Sequence, residues 1–210
     1  MPLHLSGQSG ADALLDRDAF ALLVGMLLDQ QVPMEKAFAG PALIAERLGL
    51  DGLDPATVAA VPPDQFAAVM AGPPAVHRYP RSMGTRVQDL AAQVRDIYGG
   101  DVEAVWRDGD AATVLNRLVA LAGFGRQKAK IFLALLGKQR GVRPEGWVQA
   151  SAPYGEAGSY RSVADVVDVD SLARVRATKQ ALKASAKGAA GVPAKTTRPA
   201  RHDVTWRDET

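Results

Sequence analysis

The chain has 210 residues, 47% hydrophobic and 23% charged, with a formal net charge of +2 and a pI near 9.0. That supports a buried core in one domain or two small ones. The chain has no cysteine, which excludes disulfides, thiolate zinc sites, cysteine nucleophiles and cysteine-held iron–sulfur clusters. His4, His77 and His202 lie far apart and share no metal-ligand spacing. No run approaches the roughly 18 consecutive apolar residues of a membrane span. The N-terminus lacks the basic start, apolar run and small-residue cleavage site of a signal peptide. A cytoplasmic protein without a membrane partner is expected.

In chain order the pattern is helical with almost no strand signal, so the expected class is all-α. Asp18 to Gln31 holds an apolar segment too uniform for a surface helix, and it reads as a central buried one. Pro33 suits the first turn of the next helix, which runs toward Leu48 with a bend at Gly40–Pro41. Asp54–Pro55 caps a short helix and Pro63 to Met70 forms another. Gly72 to Arg81 reads as a Pro-rich loop, and its His77, Arg78, Tyr79 and Arg81 suit either DNA contact or packing against the core. Ser82 is expected to cap an amphipathic helix with Val87, Leu90, Ala91, Val94, Ile97 and Tyr98 on one face, ended by Gly99–Gly100. Asp101 to Trp106 makes one or two turns. Asp110 caps the next helix, Gly123-Phe124-Gly125 breaks the chain, and a helix follows from Arg126 to about Gly137. Asp170 is expected to cap a last helix reaching Lys187. Residues 188–210 read as a basic, disordered tail. Between Ser171 and His202 every charged residue is Arg or Lys. Such a run either binds phosphate non-specifically or solvates a tail.

The segment Leu121-Ala122-Gly123-Phe124-Gly125-Arg126-Gln127-Lys128-Ala129 carries the strongest chemical signal. Glycines admit positive φ and let backbone N–H groups approach a ligand closely. The helix that starts there turns its free N–H groups and positive dipole end toward an anion. Arg126, Lys128, Lys130, Lys138 and Arg140 add positive charge to the region. The pattern suits a phosphate.

At these residues the chain resembles a helix-hairpin-helix element and, beyond it, the helix-hairpin-helix DNA glycosylase superfamily of base excision repair. The family hairpin reads Leu-Pro-Gly-Val-Gly-x-Lys-x-Ala. Leu121, Gly123, Gly125 and Ala129 match it, while Ala122 replaces the proline and Phe124 the valine. A second match is Leu27-Leu28-Asp29-Gln30-Gln31-Val32, which looks like the polar motif that ends the family's apolar N-terminal helix. The two motifs stand about 90 residues apart, as in the family. The resemblance covers Asp18 to about Ala150. It implies two interleaved helical subdomains within residues 1–187, with an active-site cleft between them.

The resemblance also implies roles. Gly123, Phe124, Gly125, Arg126 and Lys128 would contact DNA, Lys128 facing phosphate or solvent. Gln31, with Gln30 beside it, would enter the duplex from the minor groove and hydrogen-bond the estranged base. Asp29 would cap or orient the turn, without a chemical role. Glu145 falls on the family's catalytic aspartate and Gln127 on its nucleophilic lysine, the pair standing at the mouth of the cleft. Glutamine is no nucleophile of that kind. The implied enzyme is a monofunctional glycosylase, with water as nucleophile, acting on double-stranded DNA bearing a damaged or mismatched base. The family's four cluster-binding cysteines are missing, so no iron–sulfur cofactor is expected. A monovalent cation at the hairpin carbonyls is compatible with the resemblance, and a monomer at the nucleoid is expected. Two other readings stay open: a DNA-binding module without chemistry, and a helical protein-interaction domain with a basic tail. Tyr154 and Tyr160 suit either base stacking or packing.

Overall fold

The computed structural model describes residues 2–190, and among them every regular element is a helix. The most apolar segment forms α2 (Ala19–Leu28), in which every residue except Ala19 is buried. Asp18 sets its start. One carboxylate oxygen caps the helix at the Ala21 N–H (2.8 Å), and the other takes the Leu53 N–H (2.6 Å). One side chain thus ends a helix and holds the loop beyond α3 (Met34–Leu48). Pro33 stands just ahead of α3 and Pro41 lies inside it. Helix α3 packs along α2 at very short range: a Cβ added to Gly25 would lie 2.7 Å from the Phe38 ring, and one at Gly40 would lie 2.7 Å from Leu28.

A helix not anticipated from the pattern, α1 (Ser9–Arg17), precedes α2 and packs on α3. Its buried Asp12 accepts hydrogen bonds from the Leu5 and Ser6 N–H groups and from the Ser6 hydroxyl. An acid inside the apolar stripe hides the helix from a periodicity argument.

Helices α4 (Pro55–Ala60) and α5 (Pro63–Ala71) lie against α6 (Pro80–Tyr98). Ser82 does not cap α6. The helix starts two residues earlier with Pro80 in its first turn, where the fixed φ of proline suits a helix and its missing N–H costs nothing. Gly99 (φ +61°) ends α6 as the pattern predicts. A 3-10 turn at Val102–Val105 leads to α7 (Ala111–Ala120), capped by Asp110 at the Thr113 N–H. Helix α8 (Arg126–Gln139) packs against α7, and a single turn, α9 (Trp147–Ala150), packs against both. The last helix, α10 (Val169–Ala190), is capped by Asp168 rather than Asp170: Asp168 accepts the Ser171 N–H (2.7 Å), and the Ser171 hydroxyl accepts the Asp168 N–H (2.9 Å). This reciprocal pair fixes the start two residues upstream of the predicted cap. Residues 188–190 continue the helix, and the remainder of the predicted tail lies outside the described residues.

The buried apolar side chains form one cluster that runs from Leu3 through α2 and α6 to Phe132 and Val175. Among the described residues no helix is long and apolar enough to cross a membrane.

Gly25→Ala tests the α2–α3 contact. In a free helix interior this change stabilises by about 0.5–1 kcal/mol. Here the added carbon meets the Phe38 ring, so we expect a loss of about 1–3 kcal/mol and a Tm lower by roughly 2–12 °C in thermal denaturation.

Candidate functional site

The turn between α7 and α8 occupies residues 121–125. Its two glycines differ. Gly123 has φ +77°, and a Cβ there would lie 2.2 Å from the Leu27 side chain of α2. Conformation and space both demand glycine. Gly125 has an ordinary φ of −79°, and an added Cβ would meet no protein atom. The fold makes no demand for glycine at that position. Gln93 of α6 clamps the turn from behind, donating to the Ala120 carbonyl (2.8 Å) and accepting the Ala122 N–H (2.7 Å).

The first hydrogen bond of α8 runs from the Ala129 N–H to the Gly125 carbonyl. The N–H groups of Arg126, Gln127 and Lys128 therefore have no acceptor among the described residues, and they point out of a helix start that has no side-chain cap. With the helix dipole behind them they make an electropositive patch. Nearby, the carbonyls of Ala122, Gly123 and Phe124 accept no hydrogen bond among the described residues. They are hard donors of the kind a monovalent cation takes. No cluster of three His, Asp or Glu arranged for a metal occurs among the described residues.

The turn docks on the end of α2. Asp29 holds the first position after that helix, Gln30 is half-buried and Gln31 is exposed. The Gln30 amide reaches the Met83 sulfur (2.9 Å), so its side chain points inward. Gln31 sits at φ +58°, a left-handed conformation that costs a non-glycine residue about 1–3 kcal/mol. His77 pins this exit. The Tyr79 N–H has only a proton to offer, so Nδ1 accepts it (3.0 Å), and Nε2 donates to the Gln30 carbonyl (2.9 Å). The imidazole is thus a buried neutral strut between the α2 exit and the loop before α6. Tyr79 is exposed, with Arg78 over its ring.

Lys128 departs from its expected orientation. Its amine turns inward, donates to the Leu27 carbonyl (2.6 Å) and lies 5.9 Å from the centre of the Phe124 ring. The last carbonyls of a helix attract a cation, and a lysine one turn into α8 has the reach to supply it. Burial pulls its pKa down to about 8, helped by the charge of Arg86 and opposed by Asp29. Asp29 shifts the other way. Burial raises its pKa, Glu35 adds to the rise, and Lys179 and Lys128 oppose it.

The other expected residues divide. Arg126 and Gln127 are exposed at the start of α8, and the Gln127 amide donates to the Tyr154 hydroxyl (3.0 Å). Phe124 is buried edge-on to Phe132, so it belongs to the core and only its backbone faces outward. Glu145 does not join Gln127. Its carbonyl accepts the N–H of Ala111, the first residue of α7, and Trp147 beside it lies against Gly137 near the end of α8. From Gln127 to Gly137 is about 15 Å along the helix, at roughly 1.5 Å per residue. Counting residues missed this because α8 runs straight on to Gln139. Tyr160 packs with Arg174 over its ring. Helix α10 reaches the same neighbourhood: Arg176 pairs with Glu35, and Lys179 acts on Asp29. The sequence signal for the Asp29–Lys128 neighbourhood was present as two polar residues at helix ends in the two motifs. Nothing in either motif alone shows that they meet.

No family model, curated protein or solved structure matches the chain.

The lowered pKa of Lys128 has a thermodynamic consequence. Below about pH 8 the amine is charged both folded and unfolded, and burial weighs against the fold. Between about 8 and the unfolded value of 10.5 the unfolded chain binds more protons, so this group's contribution to stability rises with pH. Chemical denaturation of wild type and Lys128→Met across that window should show wild type gaining relative to the variant. A constant difference would mean that the amine is solvated.

Proposed function

We propose that the protein is a base-excision DNA repair protein of the helix-hairpin-helix glycosylase type, hydrolysing the N-glycosidic bond of a damaged or mismatched base in double-stranded DNA. One observation carries the reading. The two motifs on which the resemblance rests, far apart in sequence, meet in space: Gly123 lies against Leu27, and Lys128 caps the Leu27 carbonyl. A helical interaction domain has no need for that convergence.

The geometry suits the chemistry in four ways. The open N–H groups at the start of α8, beside the bare face of Gly125, offer a seat for a phosphate that carries no base information. Gln31, exposed and held in a strained conformation next to the seat, is positioned to enter a duplex. With Gln127 in the family's lysine position, water is the nucleophile, and the product is an intact abasic site. The hairpin carbonyls would hold a monovalent cation and lend positive charge toward the phosphate.

The placement of Glu145 favours a second reading, in which the fold binds duplex DNA without chemistry. Base release separates the two. A panel of duplexes carrying alkylated purines, oxidised guanine and mismatched adenine or thymine, scored for abasic sites with and without alkali, should show alkali-dependent cleavage of at least one substrate. Binding without any release would establish the non-catalytic reading.

Gly125→Val should fold as wild type, since its side chain meets open space. It should weaken binding to every duplex sequence alike, and wild-type affinity should fall steeply with salt. Undiminished affinity in the variant, read by fluorescence anisotropy, would remove the turn from the interface.

A further inference from the structure

We propose that Asp29 is the carboxylate that faces the sugar of an extruded nucleotide, the task the resemblance assigns to Glu145. The inference rests on the glycosylase reading and adds a residue to it.

The place of Asp29 in the fold is unfavourable in every respect that a structural role would correct. It stands at the C-terminal end of α2, where the helix dipole repels a negative charge. It is half-buried, and no donor among the described residues hydrogen-bonds its carboxylate. The aspartates with structural tasks look different. Asp18 takes two backbone N–H groups, and Asp12 takes two and a hydroxyl. Lys128 does not neutralise Asp29 by direct pairing, because its amine is committed to the Leu27 carbonyl. An acid that serves no hydrogen bond at a costly helix end is available for chemistry.

Its surroundings specify the task. The Lys128 amine of α8 reaches the Leu27 carbonyl two residues before it, while Lys179 of α10 lowers its pKa and Glu35 of α3 raises it. The open N–H groups of α8 lie one turn from the Lys128 stem, and Gln30 and Gln31 follow Asp29 directly in the chain. On this reading, a duplex seated on the α8 start with Gln31 inserted would bring the sugar of the displaced nucleotide to the end of α2. Glu145 lies at the opposite end of α8.

The step balances without a further reactant. The C1′–N bond breaks and its electron pair leaves on the base nitrogen, so positive charge develops on the sugar. The Asp29 carboxylate stabilises that charge and takes a proton from water as the water oxygen bonds to C1′. The base nitrogen takes a proton from solvent, and Asp29 returns its own to solvent. Lys128 acts as a positioning residue that ties the hairpin to the end of α2.

The test compares binding to two duplexes, one holding a cationic pyrrolidine abasic analogue and the other its neutral tetrahydrofuran counterpart. Wild type should prefer the cationic duplex by on the order of tenfold or more, as a site built for a developing cation does. Asp29→Asn should abolish the preference while binding the neutral duplex as well as wild type, and Glu145→Gln should keep it. Asp29→Asn should also hold or raise the Tm at pH 7, because it removes a negative charge from the C-terminal end of α2; a Tm fall of several degrees would assign Asp29 to structure. A preference that survives Asp29→Asn, or vanishes in Glu145→Gln, overturns the assignment. Wild type that binds both abasic duplexes equally removes Asp29 but leaves the DNA reading standing. Wild type that binds neither these nor undamaged duplex ends both.

Discussion

The end of α2 meets the α7–α8 turn without a gap, and the functional geometry depends on that contact. Gly123 suits this contact because its φ of +77° strains other residues and a Cβ would lie 2.2 Å from the Leu27 Cδ1, which would have to shift. Once the turn is seated, the Lys128 amine lies where the last carbonyls of α2 need a donor. The same contact joins the segment that carries the bare N–H groups of α8 to the one that carries the exposed Gln31. A buried helix with no polar side chain of its own ends beside charge only because another segment supplies it.

That arrangement sets the electrostatics. A carboxylic acid and an amine share a half-buried corner, and burial drives both toward neutrality, the acid upward and the amine down to about 8. Burial dominates both, and the charges that oppose it are Lys179 and then Lys128 for the acid, and Asp29 for the amine. Helix α10 lays Arg176 on Glu35 and Lys179 near Asp29. The corner thus draws three bases and two acids from four elements, a balance that a phosphate backbone would shift strongly.

Much of the fold was legible in the residues because its signals are local. The apolar run of α2, the Asp54 and Asp110 caps and the Gly99 stop each act within a turn of the chain. The misplaced starts at Ser82 and Asp170 have separate causes: Pro80 begins α6 without a side-chain cap, whereas two aspartates near the start of α10 satisfy the capping rule, which does not choose between them. Helix α1 was hidden by Asp12, whose partners come from the preceding segment. The site was legible in its parts and not in its assembly. The resemblance put Glu145 and Gln127 together at the mouth of the cleft, but sequence distance says nothing of direction, and α8 carries the chain away from Gln127 before Glu145. Phe124 read as a turn residue open to DNA, yet Phe132 claims its ring. Lys128 was expected to face phosphate or solvent. Its long stem reaches round to α2.

Amide NMR during titration with a short undamaged duplex tests most directly whether the two motifs form one interface. The amides of Gly123 to Lys128 and of Asp29 to Gln31 should shift together, with one shared saturation curve, while those around Glu145 stay in place. Shifts confined to α10, or a hairpin that responds without the α2 exit, would contradict a joint site.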